Sequence, residues 1–302
     1  MIVTSAMTTM RHQYIAKAFL SEKEINEIMD KNKVDTTDKY SDEKAIEVAK
    51  YNDSEAFKNG DIQYNDNKGV PKEKDNIEMV DISNGKYKGY LLIVSNPDRV
   101  SVATTKKVGN YGMKLEDIVK EYDAVGGINA GGFADENGKG NGGTPIGLLI
   151  EDGQVIYGNE KDRYDIVGLN EDSVLVLGSY TLKELKAKKI RDAVTFSPFL
   201  VVNGQPTIKQ GNGGWGIAPR TAIGQRKDGT ILMLVIDGRQ VSSIGATLKE
   251  VQDIMLQYDA YNAANLDGGA STTMIYENKT INHPCSQYGP RYLPSAFIIK
   301  KN

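Results

Sequence analysis

Ile231-Leu-Met-Leu-Val-Ile236 is an uninterrupted apolar run that passes directly into Asp237-Gly-Arg239. A run without apolar–polar alternation suits a strand buried on both faces. Upstream, Thr221–Gln225 and Thr230–Ile236 flank Asp228-Gly229, which reads as a hairpin turn. Downstream, Thr247 to Tyr258 carries Leu248, Val251, Ile254, Met255 and Tyr258 at helical spacing. A second apolar run, Ala260–Leu266, ends at Asp267-Gly-Gly269, and Arg220 opens the strand between the two. Glycine at a strand end lets the chain turn sharply or approach a ligand closely. Asp-Gly is ordinarily turn chemistry, and Asp152-Gly153 and Asp228-Gly229 are read that way. Asp237 and Asp267 differ in their C-terminal neighbours: Gly238 and then an arginine in one case, Gly-Gly-Ala-Ser-Thr-Thr in the other. Acids and arginines thus gather where strands stop.

Strand patterns extend over the chain from Ile77. Strands are expected at 77–82, 87–95, 99–104, 124–128, 144–150, 154–157, 166–169, 173–178, 193–196, 200–202, 260–266, 272–276 and 296–300. Asn84-Gly85, Asp152-Gly153 and Asn203-Gly204 serve as turns. Helices fit 114–122 and 181–189. Hairpins dominate and βαβ alternation is not sustained. This favours an α+β domain with a largely antiparallel or mixed sheet and flanking helices. Residues 1–75 are richer in Lys, Asp, Glu and Asn and read either as an accessory N-terminal helical segment packed on the main domain or as a partly mobile leader. Ser21-Glu-Lys-Glu24 is a capping box opening a helix over 22–32. A second helix fits 42–50, with Ala45, Ile46, Val48 and Ala49 on its apolar side. The expected division is an accessory segment over 1–75 and a main domain over 76–302.

The 302 residues carry a net charge of −3, with 39% hydrophobic and 25% charged residues. No basic surface points to nucleic acid, and no apolar run is long enough to span a bilayer. No signal peptide is visible; either the protein is cytosolic or its targeting segment is absent from this chain. The single cysteine, Cys285, excludes an internal disulfide and a multi-cysteine zinc site. The glycine-rich loop 126–143 fails the phosphate-loop spacing and lacks the dinucleotide pattern. Asn129, at a strand end, is the better contact there, or else a turn residue. His12 and His283 are the only histidines; neither has a ligand or triad partner at suitable spacing, so a Ser-His-Asp mechanism is disfavoured.

Carboxylates and arginines remain. Glycosyl transfer to water passes through an oxocarbenium-like state that Asp or Glu can stabilise, attack or serve with protons. Asp237 and Asp267 fit that need, and Arg220, Arg239 and Arg291 offer planar paired donors to a phosphate. The bland alternative is a pair of structural salt bridges, Asp237–Arg239 or Asp267–Arg220. Ser271, Thr272 and Thr273 could line a sugar or phosphate pocket or be ordinary strand residues. Trp215 and Tyr288 could stack on a sugar or simply pack.

Ile128-Asn-Ala-Gly-Gly-Phe133, Thr144-Pro-Ile-Gly147, Pro219-Arg-Thr-Ala-Ile-Gly224, Val235-Ile-Asp-Gly-Arg-Gln240, Ser243-Ile-Gly-Ala-Thr247 and Asn265-Leu-Asp-Gly-Gly-Ala-Ser-Thr272 together resemble the phosphodiester glycosidase family. The resemblance runs in order from about 120 to 300. It implies hydrolysis of the bond between a sugar anomeric carbon and a phosphodiester, with a phosphorylated sugar or bacterial cell-wall or exopolysaccharide glycan as substrate. It places Asp237 and Asp267 as the acidic pair and Arg220 and Arg239 on phosphate. Asn129, Thr221, Gly268, Gly269, Ser271 and Thr272 line the substrate site. A Ca²⁺ or Mg²⁺ ion sharing the acidic pair stays open, since oxygen-rich sites suit both. Extracellular or cell-surface placement is implied as well. The competing reading is a non-catalytic binding protein for phosphorylated surface glycan on the same fold.

Overall fold

A computed structural model describes residues 19–31, 34, 39–48, 76–135, 140–286 and 289–302. Helix α1 (Glu22–Lys31) leads, with Ser21 and Glu24 exchanging the two capping hydrogen bonds expected of their spacing. The main body then runs β1 (Ile77–Asp81), β2 (Gly89–Val94), β3 (Val100–Thr104), β4 (Met113–Lys114), α2 (Leu115–Glu121), β5 (Ala124–Asn129), β6 (Leu149–Glu151), β7 (Gln154–Tyr157), β8 (Arg163–Asn170), β9 (Leu175–Thr181) and α3 (Leu182–Ala187). It continues with β10 (Ile190–Thr195), β11 (Phe199–Val202), β12 (Gln205–Pro206), β13 (Arg220–Arg226), β14 (Ile231–Ile236), α4 (Leu248–Gln257), β15 (Ala260–Asn265), β16 (Met274–Tyr276), β17 (Lys279–Thr280), β18 (Tyr292–Leu293) and β19 (Ser295–Lys300).

Among the described residues every strand pairing is antiparallel, which bears out the α+β expectation. The largest sheet has seven strands in the order β1-β2-β14-β13-β15-β11-β12. Two five-stranded sheets, β7-β6-β10-β8-β9 and β17-β16-β5-β19-β3, accompany it. All three turn one face to a shared core, with Ile231, Met233 and Val235 of β14 meeting Val167, Leu177, Ile128 and Phe297. The alternate residues Leu232, Leu234 and Ile236 face the other way and pack on Leu248, Val251 and Met255 of α4. That two-sided burial is why the run at 231–236 shows no alternation. Helix α2 covers the outer face of the β5–β19 sheet and α3 that of the β8–β10 sheet. Capping boxes Thr181/Glu184 and Thr247/Glu250 start α3 and α4.

The second helix, expected at 42–50, does not form over the described part, 42–48. Its place holds one 3₁₀ turn, Glu43–Ala45, capped by Asp42, after which Ile46 is extended. The backbone here bonds outward: Ser41 N–H donates to Leu177 O at 2.9 Å and Glu47 N–H to Lys227 O at 2.8 Å. Those bonds compete with helical ones for the same donors, and tertiary context overrides a modest helical propensity. Among the described residues no helix is long and apolar enough to cross a membrane.

Candidate active site

Asp237 and Asp267 both lie just past the ends of strands, at the same edge of the large sheet. β13 runs between β14 and β15 in antiparallel sense, so Arg220 at its start stands beside both carboxyl-bearing ends. Asn129 closes β5 on the facing sheet. Its Nδ2 donates to the Asp267 carbonyl at 2.6 Å, and its Oδ1 accepts from Thr221 Oγ1 at 2.9 Å and Thr273 N–H at 3.0 Å. Asp267 N–H in turn donates to Ala130 O at 3.0 Å. The strand ends of two sheets are thereby pinned together. Thr272 Oγ1 lies 3.3 Å from Thr221 Oγ1. Asn129, Thr221 and Thr272 are all buried, with their polar atoms given to protein partners. Their side chains link the end of β5, the start of β13 and the Asp267 turn.

Asp267 keeps an opening to solvent while protein surrounds its other sides. Burial pushes its carboxyl up to about 6, against a hydrogen bond from Ser271, the Arg291 charge and the Gly268 amide, all of which pull it down. Asp135 nearby pushes it further up, and Arg291 is itself paired with Asp135 at 2.8 Å. The turn Gly269–Ser271 after Asp267 is 3₁₀. It needs its glycines: Gly269 has φ +63°, and a side chain on Gly268 would begin 2.8 Å from Pro219 O.

Asp237 is deeply buried and serves as a clasp. Its carboxylate accepts from Asn282 Nδ2 at 2.8 Å and from His283 N–H at 2.9 Å. Burial raises its pKa and those two donors oppose the rise. Asn282 Nδ2 also donates to Thr272 O at 3.0 Å, tying the Asp237 strand end to the Asp267 turn. No spacing signal in the sequence marked Asn282, because its partners are 45 and 10 residues away.

The two arginines divide in role. Arg220 is buried, donating through Nε to Ala246 O at 3.0 Å and through Nη2 to Gly216 O at 2.6 Å and Trp215 O at 3.1 Å. Burial lowers its pKa to about 10, and the Arg239 charge adds to the fall. Neither expected salt bridge, Asp237–Arg239 or Asp267–Arg220, forms among the described residues. Arg239 is exposed, holds φ +58°, and its guanidinium has no carboxylate partner among them. Its Nη1 lies 3.3 Å from where a side chain on Gly269 would begin, so a free cation stands over the turn after Asp267. Among the described residues no three His, Cys, Asp or Glu side chains converge as a metal site. Tyr288 and His12 lie outside the described residues.

Known proteins share this arrangement's frame. An uncharacterized SPbeta prophage-derived protein of Bacillus subtilis, YomE, is 32% identical over 181 residues, covering 55% of this chain and 26% of that protein. The N-acetylglucosamine-1-phosphodiester alpha-N-acetylglucosaminidase of Mus musculus is 24% identical over 218 residues, 65% of this chain and 41% of the enzyme. The chain therefore spans less than half the length of these relatives. Among solved structures, the zebrafish catalytic domain of the same enzyme, auto-inhibited by its pro-peptide, aligns with a TM-score of 0.62 at 23% identity. That alignment covers 76% of this chain and 83% of the zebrafish domain, and it shows a shared fold. The phosphodiester glycosidase family model matches residues 122–300, a span that holds both strand-end carboxylates, both arginines and the Asn129 hub; this chain belongs to the phosphodiester glycosidase family.

Proposed function

We propose that the protein hydrolyses a glycosyl phosphodiester, cleaving the bond between the sugar anomeric carbon and a phosphate oxygen. One observation carries the reading. The turn after β15 presents a carboxyl raised to about 6 on one side and, on the other, the Arg239 guanidinium, which has no carboxylate partner among the described residues. An anion with a sugar attached satisfies both. Family membership supports the reading, and the names of the mouse and zebrafish relatives make N-acetylglucosamine-1-phosphodiesters the first substrate class to try.

In the proposed step Arg239 neutralises the phosphate and Arg220 adds a fixed positive potential behind it. The ionised Asp267 serves the anomeric carbon, either as a base that takes the proton of an attacking water or as a nucleophile whose glycosyl ester water then cleaves. The new bond joins the anomeric carbon to the attacking oxygen, and the carbon–oxygen bond to phosphate breaks. The leaving phosphate takes the electron pair as a phosphomonoester. Such a group leaves readily, so strong acid assistance is less needed than for an ordinary glycoside. Asp237 acts at a distance by holding the 282–283 loop and, through Asn282, the Asp267 turn.

The test is incubation with a nitrophenyl phosphodiester of N-acetylglucosamine 1-phosphate, with and without chelator, read as free sugar by mass spectrometry. Sugar release that Asp267→Asn abolishes supports the reading, and the chelator arm reports on Ca²⁺ or Mg²⁺. Saturable binding with no product identifies a glycan-binding protein instead.

A further inference from the structure

A cleft of about 360 Å³ opens beside the strand-end cluster, lined among others by Gly132, Asp165, Thr195, Phe196 and Trp215. Two links tie its lining to the site. Gly132 is two residues beyond Ala130, whose carbonyl accepts the Asp267 N–H. Trp215 gives its own carbonyl to Arg220. The cleft's size lies at the small end for ligand pockets, enough for one ring and not for a chain of them. Trp215 and Phe196 meet edge to face at 6.2 Å, and Trp215 remains 36% exposed, so aromatic surface stays open to a guest. A flat aromatic surface suits the C–H face of a sugar.

The cleft also carries polar groups with hydrogen-bonding capacity to spare. The Asp165 carboxylate is half-buried and, among the described residues, has neither a hydrogen bond nor an ion pair from a side chain. Its neighbour Arg163 is already committed to Ser179 O and Glu184. Thr195 Oγ1 accepts from Leu148 N–H at 2.7 Å and keeps its own proton to donate. Gly132 leaves room on this wall: a Cβ there would stand 3.2 Å from Phe196 Cε2.

We propose that this cleft binds the single pyranose ring of the substrate, with Trp215 stacking on the ring and Asp165 accepting hydrogen bonds from its hydroxyl or amide groups. The inference rests on the glycosyl phosphodiester reading for the substrate class, but it has a separate readout. Trp215 is the only tryptophan in the chain and lines the cleft, so its fluorescence reports binding there. The experiment titrates the full chain with methyl glycosides of glucose, galactose and N-acetylglucosamine, and with inorganic phosphate as control. At least one glycoside is expected to change Trp215 emission saturably, with phosphate silent. Asp165→Asn is expected to weaken that binding about tenfold or more, as loss of a charged acceptor does, and Gly132→Val to abolish it by filling the cleft. Folding of both variants is checked by circular dichroism. Silence with all three glycosides, together with unchanged hydrolysis by Asp165→Asn, overturns the assignment and leaves the hydrolase reading intact. A saturable, Asp165-dependent response in a protein that cleaves no glycosyl phosphodiester upholds the cleft and removes the catalytic reading.

Discussion

Asp267 holds its proton more tightly in the folded protein than in the unfolded chain, with a pKa of about 6 against an ordinary 3.8. The stability from that difference is fully present below the ordinary value and is lost as pH rises through about 6. At neutral pH the folded state thus carries an ionised carboxylate that its surroundings disfavour. Asp267→Asn is expected to abolish turnover while raising stability at pH 7 by on the order of 1 kcal/mol, a trade common at functional sites. Thermal unfolding beside a sugar-release assay checks both halves; an active variant would remove Asp267 from the chemistry. The ionised form is the reactive one in the proposed step, so kcat/KM is expected to rise with pH and level off above about 6. The arginines make a second contrast. Arg239 is exposed and has no carboxylate partner among the described residues, so Arg239→Ala should cut kcat/KM by about tenfold or more with little change in melting temperature. Arg220→Ala strips two buried carbonyls and one part-buried carbonyl of their donor and should cost about 3 kcal/mol in urea unfolding.

At the scale of elements, loops between strand ends decide the site. The 282–283 segment is held by the Asp237 carboxylate, and Asn282 bridges it to the turn carrying Asp267. Asn282→Ala should leave the overall fold, lower kcat by about tenfold or more and leave KM for substrate nearly unchanged, because the turn is displaced and not removed; steady-state kinetics separates the two. Helix α4 rests on its capping box, and Thr247→Ala is expected to cost about 1 kcal/mol, read as a shift in the urea midpoint. Capping boxes are legible in sequence because their partners are three residues apart. The helix expected at 42–50 shows the opposite case: Ala45, Ile46 and Val48 had helical spacing, yet Leu177 and Lys227 took up the neighbouring backbone groups.

Over the whole molecule, three antiparallel sheets share one core, and the segment 39–48 is bonded to strand β9 and to the turn between β13 and β14. Ser41 is buried and exchanges two hydrogen bonds with Leu177, and Glu43 pairs with Lys188 at 2.5 Å. We expect a chain beginning at Asn76 to retain sugar release at a lower melting temperature; a truncated protein that is folded but inactive would place the leading segment in the site. The strands, hairpin turns and three main-body helices were legible in the sequence, because apolar runs, Asp-Gly and Asn-Gly turns and capping boxes act over a few residues. The gathering of Asp237, Asp267, Arg220 and Arg239 at strand ends was legible too, since each sits just past an apolar run or opens one. The use made of these residues was set by three-dimensional packing alone. Packing buries Arg220 under backbone carbonyls, turns Asp237 inward onto Asn282 and His283, buries Asn129 against Thr221 and leaves Arg239 exposed. It also opens a cleft between Trp215, Phe196 and Asp165. These outcomes depend on burial and on partners drawn from distant parts of the chain, which no local pattern encodes.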